Sequence, residues 1–271
     1  MKILFLLLNI FILHNTYAAQ KKSPWVQITK KNGITIWKKN FRQSSLVSFK
    51  GTVTIKADIH QVFSVLYDPY HKKEFIQNCD KFELLKVSTL PESTISYMKM
   101  KSPFPLIDDR DVVIQTKTEF LNKQKAIRVN FWNTTHSLRK PQKGIVRIPL
   151  LKGQWVLQSL GHGKTNVQYQ LVTNPGGLIP KWIVNLANKK LPFKTLTKMR
   201  RLVHQPQKFV QTQTMLKYFF NFAPLLGQNH PSSQRNAKEK HLVEKRLKNK
   251  FKEGCRSGIL DACQMETNFK F

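Results

Sequence analysis

The residues best suited to chemistry are three closely spaced carboxylates, Asp108, Asp109 and Asp111, which flank Arg110. Carboxylates at this spacing can bind a divalent metal ion, or can divide acid and base roles because each shifts the pKa of its neighbour. No histidine or glutamate accompanies them at metal-ligand spacing, and Arg110 can neutralise one of them. We therefore favour ion pairs, or hydrogen bonds to the backbone where a loop enters a strand, over a metal or catalytic site.

The other reactive side chains form no chemical motif. The eight histidines show no metal-ligand spacing, and neither the serines nor Cys79 lies in a nucleophile motif. The segment 161–164 (GHGK) is better explained as a hairpin turn than as a phosphate-binding loop. We expect no catalytic residue, no metal ion and no cofactor.

The N-terminal segment has the composition of a secretory signal peptide. Lys2 precedes an apolar run at residues 3–13, and Ala18 ends the short polar stretch that follows. This order predicts cleavage after Ala18, with cleavage after Ala19 as the alternative. The apolar run is too short for a membrane anchor, which needs about 20 residues. We expect residues 1–18 to be removed and the protein to be exported, either to a periplasm or into the medium.

The composition excludes a disordered chain and limits the partners. There are 46 Lys and Arg against 15 Asp and Glu, which gives a net charge of +31, yet 41% of the residues are hydrophobic. That apolar content is enough for a packed core. The charge favours a polyanionic partner: nucleic acid, anionic lipid headgroups or acidic polysaccharide. Because export separates the protein from genomic DNA and ribosomal RNA, we expect no nucleic-acid partner.

Apolar and polar side chains alternate through most of residues 25–131, as they do in half-buried antiparallel strands. Asp58 offers an N-cap for a helix that ends at Asp68. A longer amphipathic helix is predicted from Pro180 to about Val203, and Pro192 predicts a kink in it. The pattern indicates an α+β domain in which one sheet wraps a terminal helix. Strands are predicted at Ile34–Ile36, 47–55, 82–87, 95–100, 112–120, 127–132, 145–148, 155–160 and 167–172.

The composition changes near Pro206, beyond which Gln, Asn, Ser and Pro accumulate and a Lys-rich helical segment follows. We assign residues 19–206 to the domain and residues 207–271 to a basic, partly helical tail. Cys255 and Cys263 lie near its end, and in an oxidising compartment such a pair can close a helix-turn-helix by a disulfide. We expect that disulfide here.

Residues 102–113 (SPFPLIDDRDVV) are similar to a motif of the START lipid-transfer family, in which a Pro-aromatic-Pro loop leads into an Arg-Asp-aliphatic strand. The similarity spans roughly residues 25–204, and on it the chain is identified as an exported bacterial member of that family. The basic tail and the scarcity of acidic residues depart from the family pattern. Further similar segments, in family order, are 33–34 (GI), 49–51 (FKG), 144–147 (GIVR), 153–155 (GQW) and 174–182 (NPGGLIPKW).

This resemblance implies a helix-grip fold, in which a curved antiparallel sheet closes around the C-terminal helix and encloses an apolar cavity for one lipid. By similarity, residues 102–109 form a gate loop, and residues 176–180 form a hinge for the terminal helix, which acts as a lid. The gate loop contains Phe104, Pro105 and Leu106, and the lid helix contains Trp182, Ile183 and Leu186.

The side chains expected in the cavity are Phe131, Trp155, Tyr169, Arg147 and Asp111. A buried arginine there requires a carboxylate or a lipid headgroup as its partner. Structural pairs, Arg147 with Asp111 or Arg110 with Asp109, are the alternative. The aromatic residues can equally belong to an ordinary core.

No Asp or Glu lies between residues 120 and 238, a region that contains 20 Lys and Arg. A solvated face normally mixes the two signs of charge, whereas a helix with one sign of charge and an apolar stripe is typical of a membrane surface. We expect the lid helix to dock on anionic lipid, where each basic residue contributes ~1 kcal/mol that salt attenuates. The expected docking residues are Lys189, Lys190, Lys194, Lys198, Arg200 and Arg201.

Three functions are compatible with the sequence. The first is an exported, non-enzymatic protein that binds and transfers a lipid or another hydrophobic molecule. The second is an enzyme of the wider helix-grip superfamily, of cyclase or hydrolase type, that acts on a hydrophobic substrate. The third is a secreted protein that uses its tail to bind polyanions.

Overall fold

One sheet dominates the described part of the chain. The computed structural model describes residues 24–41, 44–89, 93–102, 105, 107–177, 179, 181–210, 212, 213 and 216, and within 44–45, 87–89 and 181–189 it describes the backbone alone. The strands are β1 (Val26–Lys31), β2 (Ile34–Phe41), β3 (Ser44–Ile55), β4 (Cys79–Thr89), β5 (Ser93–Met100), β6 (Asp109–Leu121), β7 (Ala126–Thr134), β8 (Ile145–Arg147), β9 (Leu150–Gly161) and β10 (Lys164–Asn174). Their order is β1-β2-β3-β10-β9-β7-β6-β5-β4 with antiparallel neighbours, while β8 pairs in parallel with β6.

Helices are few in the described residues. α1 (Ile59–Tyr67) begins after Asp58, whose backbone N–H donates to Oε1 of Gln61 (3.2 Å), and it ends just before Pro69. α2 (Lys72–Phe75) is a single turn, and α3 (Lys181–Val203) continues through Pro192. Short 3₁₀ turns occupy Asn122–Gln124 and Pro206–Phe209. None of the described helices is long and apolar enough to cross a membrane.

Residue alternation predicts β2 to β10 in the right places but shortens most of them. β9, for example, begins at Leu150 rather than at residue 155, because Lys152 and Gln154 pair with Val172 and Gln170 of β10 although their side chains are not apolar. The sequence analysis does not predict β1, an edge strand with few apolar residues, or α2.

Alternation divides the side chains between two faces of the sheet. A row of apolar side chains crosses six strands and defines the inner face: Ile34, Val53, Val167, Leu157, Ile127 and Phe120. The helices α1 and α3 lie on this face, where Leu196 and Met199 of α3 are completely buried. The opposite, outer face carries a smaller cluster of Leu85, Tyr97 and Val113. The main core therefore lies between the inner face and the helices.

The packed domain continues beyond residue 206, where the sequence analysis ends it. Phe209 and Leu216 are 1% and 2% exposed and belong to the main core. Thr212 is also buried, and its Oγ1 lies 3.3 Å from Oδ1 of Asp68. Three buried positions, Phe209, Thr212 and Leu216, thus lie in a segment of largely polar composition. The expected tail after residue 216, with Cys255 and Cys263, lies outside the described residues.

The contact between α3 and β3 depends on the absence of a side chain at Gly51, so Gly51→Val should destabilise the fold. A Cβ atom at this position would lie 2.7 Å from Cδ1 of Leu196 and 3.0 Å from Cδ1 of Ile36. We expect Gly51→Val to lower the free energy of unfolding by about 1–3 kcal/mol in chemical denaturation. Thr52→Val, one residue along on the outer face, is the control and should change it by less than about 1 kcal/mol. Equal stability of the two variants would contradict close packing of α3 on β3.

Candidate functional site

Three aromatic side chains meet at the centre of the inner face. Trp155 of β9 and Tyr169 of β10 are paired across the ladder, and their rings stack with centroids 4.0 Å apart and planes inclined by 14°. Phe131 of β7 extends the group, with its ring 6.3 Å from that of Tyr169. These are the three aromatic residues that the sequence analysis expects in the cavity, and the sheet brings them together.

Two glycines make room for the aromatic rings and for α3. Gly153 lies beneath Phe131, since a Cβ there would be 2.4 Å from Cζ of that ring. Gly51 pairs with Tyr169 on the other side, beneath α3. From α2, Phe75 meets Trp155 edge to face at 6.5 Å. The result is an aromatic cluster in the middle of an otherwise aliphatic face, and its central rings, Trp155 and Tyr169, are buried in the main core.

Arg147 and Asp111 lie on the outer face, away from these rings. Nε of Arg147 donates to Oδ1 of Asp111 at 2.6 Å, and Nη2 donates to Oδ2 at 3.0 Å. Asp111 alternates along β6 with Val112 of the main core and shares its face with Tyr97. This corrects the expectation that the two line the cavity, because the parallel pairing of β8 with β6 sets them opposite each other on the outer side. The alternative, a structural Arg147–Asp111 pair, is confirmed.

Further polar groups complete this outer cluster. Arg139 pairs with Glu83, donating from Nε at 2.8 Å, and its guanidinium lies 5.1 Å from the ring centre of Tyr97. Burial, together with the nearby Asp111 carboxylate, raises the pKa of Tyr97 to about 12. Each charged group of the cluster pairs with a group of opposite charge. These ion pairs hold the segment 135–149, which contains β8, on the sheet.

The acidic residues at the start of β6 do not converge on a common point. Oδ2 of Asp109 pairs with Lys99 at 3.1 Å and its Oδ1 accepts the backbone N–H of Ser102 at 3.0 Å, so these contacts lower the pKa of Asp109. Asp108 is exposed, and Asp111 is held by Arg147. The expected Arg110–Asp109 pair does not form. Among the described residues, no group of three or more His, Cys, Asp or Glu side chains is arranged to hold a metal ion.

Buried polar groups near the inner side are the functional candidates that the sequence analysis missed. Oη of Tyr67 and Nε of Arg110 are buried and have no hydrogen-bond partner within the described structure. Lys72 of α2 is also buried, with Nζ donating to the carbonyl of Leu66 and lying 5.1 Å from the ring centre of Phe75. A four-residue helix shows no periodicity, so no pattern marks Lys72 as buried.

A carboxylate–histidine pair lies beneath the end of α1. Asp68 is 1% exposed and accepts from Nδ1 of His71, from the backbone N–H of Tyr70 and from Thr212. The His71 ring packs edge to face on Phe209, with ring centres 5.1 Å apart. Because Asp68 has several donors from two segments, we interpret the pair as an anchor for the C-terminal turns.

The described residues include part of the gate, lid and docking sets. Pro105 of the gate loop is exposed, whereas Phe104 and Leu106 lie outside the described residues, as do the side chains of Trp182, Ile183, Leu186 and Lys189. Lys190, Lys194 and Arg201 are exposed at helical spacing on one side of α3. Lys198 and Arg200 are half-buried, and Nη1 of Arg200 donates to the carbonyl of Asn32 at 2.7 Å.

Lys72 makes the stability of this region depend on pH. Burial lowers the pKa of Lys72 from 10.5 to about 8, so between these values the unfolded chain holds more protons and the stability of the native protein rises with pH. Lys72→Met should therefore stabilise the protein at pH 7, and the gain should shrink by on the order of 2 kcal/mol by pH 10. Chemical denaturation of the wild-type protein and the variant from pH 7 to pH 10 measures the gain in the free energy of unfolding and its decrease with pH.

Lys73→Met is the matched control for Lys72→Met, since Lys73 is exposed one residue away. Its effect on the free energy of unfolding should be small and nearly independent of pH. A gain from Lys72→Met that stays constant from pH 7 to pH 10 would mean that the amine is not desolvated.

Residues 14–208 match the START domain family. An uncharacterized protein of Pseudomonas aeruginosa is 32% identical over 176 residues, which cover 65% of this chain and 85% of that protein. Phosphatidylcholine transfer protein of Bos taurus is 25% identical over 169 residues, which cover 62% of this chain and 78% of that protein.

Solved structures have the same fold. The STAR-related lipid transfer protein of Xanthomonas axonopodis superposes with a TM-score of 0.60 at 30% identity, covering 66% of this chain and 98% of that chain. Human STARD10, at 20% identity, gives a TM-score of 0.63 over 76% of this chain and 83% of that one. With the family match extending over most of its length, the chain belongs to the START domain family.

Proposed function

We propose that this protein binds one lipid against the inner face of its sheet and transfers it between membranes. The stacked pair of Trp155 and Tyr169 is the observation that carries the proposal, because it places a wide aromatic surface beneath the helices. The similarity of the chain to a phosphatidylcholine transfer protein supports a lipid as the ligand. Each methylene removed from water contributes about 0.8 kcal/mol, so one acyl chain suffices for firm binding.

In this proposal the sheet and α3 enclose the ligand in an apolar cavity, and the ligand enters where β6 and α3 begin. Gly176 and Gly177 precede α3 with φ angles of +67° and +70°, a region that favours glycine. They form the hinge on which the start of α3 moves away from the sheet. The gate loop, 102–109, lies at the same end of the sheet, since it leads into β6.

We further propose that the protein is exported and that α3 docks on anionic membranes. The signal-like N-terminal segment supports export, and the exposed stripe of Lys190, Lys194 and Arg201 supports docking. The sequence of α3 contains no Asp or Glu that could neutralise these basic residues. The enzymatic and polyanion-binding functions are kept as alternatives; no catalytic arrangement in the described residues favours the first.

Lipid capture tests the proposed function. The mature protein is incubated with vesicles made from a mixed bacterial lipid extract, separated from them, and analysed by native mass spectrometry. We expect a mass increase that corresponds to one lipid per chain, because the proposed cavity encloses a single ligand. Trp155→Glu should abolish the increase, since it places a charge on that surface, whereas Trp37→Glu, on the outer face of β2, should not. A wild-type protein that stays free of lipid would contradict the proposal.

Vesicle pelleting tests the docking surface. Replacing Lys190, Lys194 and Arg201 together by Glu should reduce binding to phosphatidylglycerol vesicles by about a hundredfold or more, because each residue contributes ~1 kcal/mol at low salt. Binding of the wild-type protein should weaken as salt is added. The charge-matched control replaces Lys123 and Lys125, in the turn between β6 and β7, and Lys164, the first residue of β10; all three lie at the far end of the sheet from the hinge. Equal losses in both triple variants would show that net charge, not this helix, determines binding.

A further inference from the structure

Arg110 is a charged residue on the inner side of β6. It alternates with Asp111, which faces outward, and it pairs across the ladders with Met100 and Val146. The next inward residue, Val112, is completely buried in the main core. Arg110 itself is 8% exposed, so its guanidinium lies within the protein at the end of the sheet where the gate loop and the hinge meet.

The guanidinium of Arg110 is only partly satisfied by its surroundings. Nη1 donates to the carbonyl of Asp108, and Nη2 donates to the carbonyl of Gly176 at 3.4 Å. Nε is buried and has no hydrogen-bond partner in the described structure. Both acceptors are uncharged backbone carbonyls, and among the described residues no carboxylate accepts a hydrogen bond from Arg110, although Asp108 and Asp109 are close enough to act on its charge.

The carboxylates nearest to Arg110 in sequence are engaged elsewhere or exposed. Asp109 pairs with Lys99, Asp111 pairs with Arg147, and Asp108 is exposed to solvent. No ion pair with Arg110 forms among the described residues, in contrast to Arg128, Arg139 and Arg147. Burial accordingly lowers the pKa of Arg110. A buried guanidinium without a carboxylate is costly, and an anion that reaches it removes that cost.

On the hinge side, a glycine rather than a side chain lies against the guanidinium. A Cβ atom on Gly177 would lie 3.2 Å from Nη2 of Arg110, so the glycine backbone packs directly on this side, and an anion reaches the guanidinium here when the proposed hinge moves Gly177 away. An arginine offers oxyanions a planar set of donors that phosphate and carboxylate groups match well.

We propose that Arg110 binds an oxyanion, phosphate or carboxylate, on the headgroup of the bound lipid. The inference rests on the proposed function, in which the acyl chains contact the aromatic surface of Trp155 and Tyr169. The headgroup then lies at the gate end of the sheet, and the cargo is a lipid with a charged oxygen rather than an uncharged glyceride or sterol. The bond from Nη2 to Gly176 also places this headgroup against the hinge.

A competition within one vesicle tests the proposal without interference from docking. Phosphatidylglycerol vesicles carry a minor fraction of diacylglycerol with the same acyl chains, and the captured lipids are counted by mass spectrometry. We expect the wild-type protein to capture phosphatidylglycerol in preference to its share of the vesicle. Arg110→Gln should lower this preference by about tenfold or more, since a hydrogen bond to a charged group is lost. Arg110→Lys, which keeps the charge, should retain part of it.

Arg128→Gln is the matched control, because it removes the same charge from an outer-face arginine whose Nη1 lies 3.3 Å from Oε2 of Glu119. It should leave the preference unchanged. Inorganic phosphate added as a competitor distinguishes a headgroup from a free anion: it should not lower capture of phosphatidylglycerol if the acyl chains anchor the ligand.

Three results would overturn the proposal. The first is equal capture of diacylglycerol and phosphatidylglycerol by the wild-type protein, which would leave lipid carriage intact. The second is an Arg110→Gln variant that captures less of both lipids in an unchanged ratio, which would make Arg110 a structural link between gate and hinge. The third is displacement of the lipid by phosphate. A wild-type protein that captures no lipid would instead overturn the proposed function.

Discussion

The side chains of a β-strand point alternately to its two sides, and in this protein that alternation separates an apolar face from a charged one across a single sheet. The inner face must be covered, because exposing it would cost roughly 25 cal/mol for each Å² of apolar surface. α1 and α3 provide the cover, and the missing side chain at Gly51 leaves room for Leu196 of α3 against β3. A ligand of similar polarity can share this face with the helices, and the paired rings of Trp155 and Tyr169 mark where its contact would be widest.

The charged side chains of β6 and β8 are also divided between the two faces of the sheet. On the outer side, Arg147 and Asp111 satisfy each other with two hydrogen bonds, and this pair helps to hold the loop 135–149 on the sheet. On the inner side, the acceptors that the described residues offer Arg110 are backbone carbonyls. Neighbours in sequence thus differ in their partners: among the described residues, Asp111 forms an ion pair and Arg110 forms none. That difference, rather than the high net charge of the chain, distinguishes a structural charge from one available to a ligand.

The alternating pattern was sufficient to predict nine of the described strands, because each has enough apolar residues at every second position. It was also sufficient to select Phe131, Trp155 and Tyr169, which fall on the apolar phase of their strands. It did not orient Asp111, because Val112 and Val113 are both apolar and the start of β6 therefore shows no clear alternation. It could not place Arg147, because the position of β8 follows from its parallel pairing with β6, a long-range contact that leaves no local signal. α2 and the buried Phe209 were missed for a related reason, since a single turn has no periodicity to detect.

Photo-crosslinking tests most directly the claim that one face of one sheet binds the lipid. The protein is loaded with a fatty acid that carries a diazirine on its acyl chain, irradiated and digested, and the labelled residues are identified by mass spectrometry. The account predicts labelling on the inner face of β7, β9 and β10, at Phe131, Trp155 and Tyr169. Labelling at the outer-face Trp37 instead, with the inner-face aromatic residues unlabelled, would contradict it.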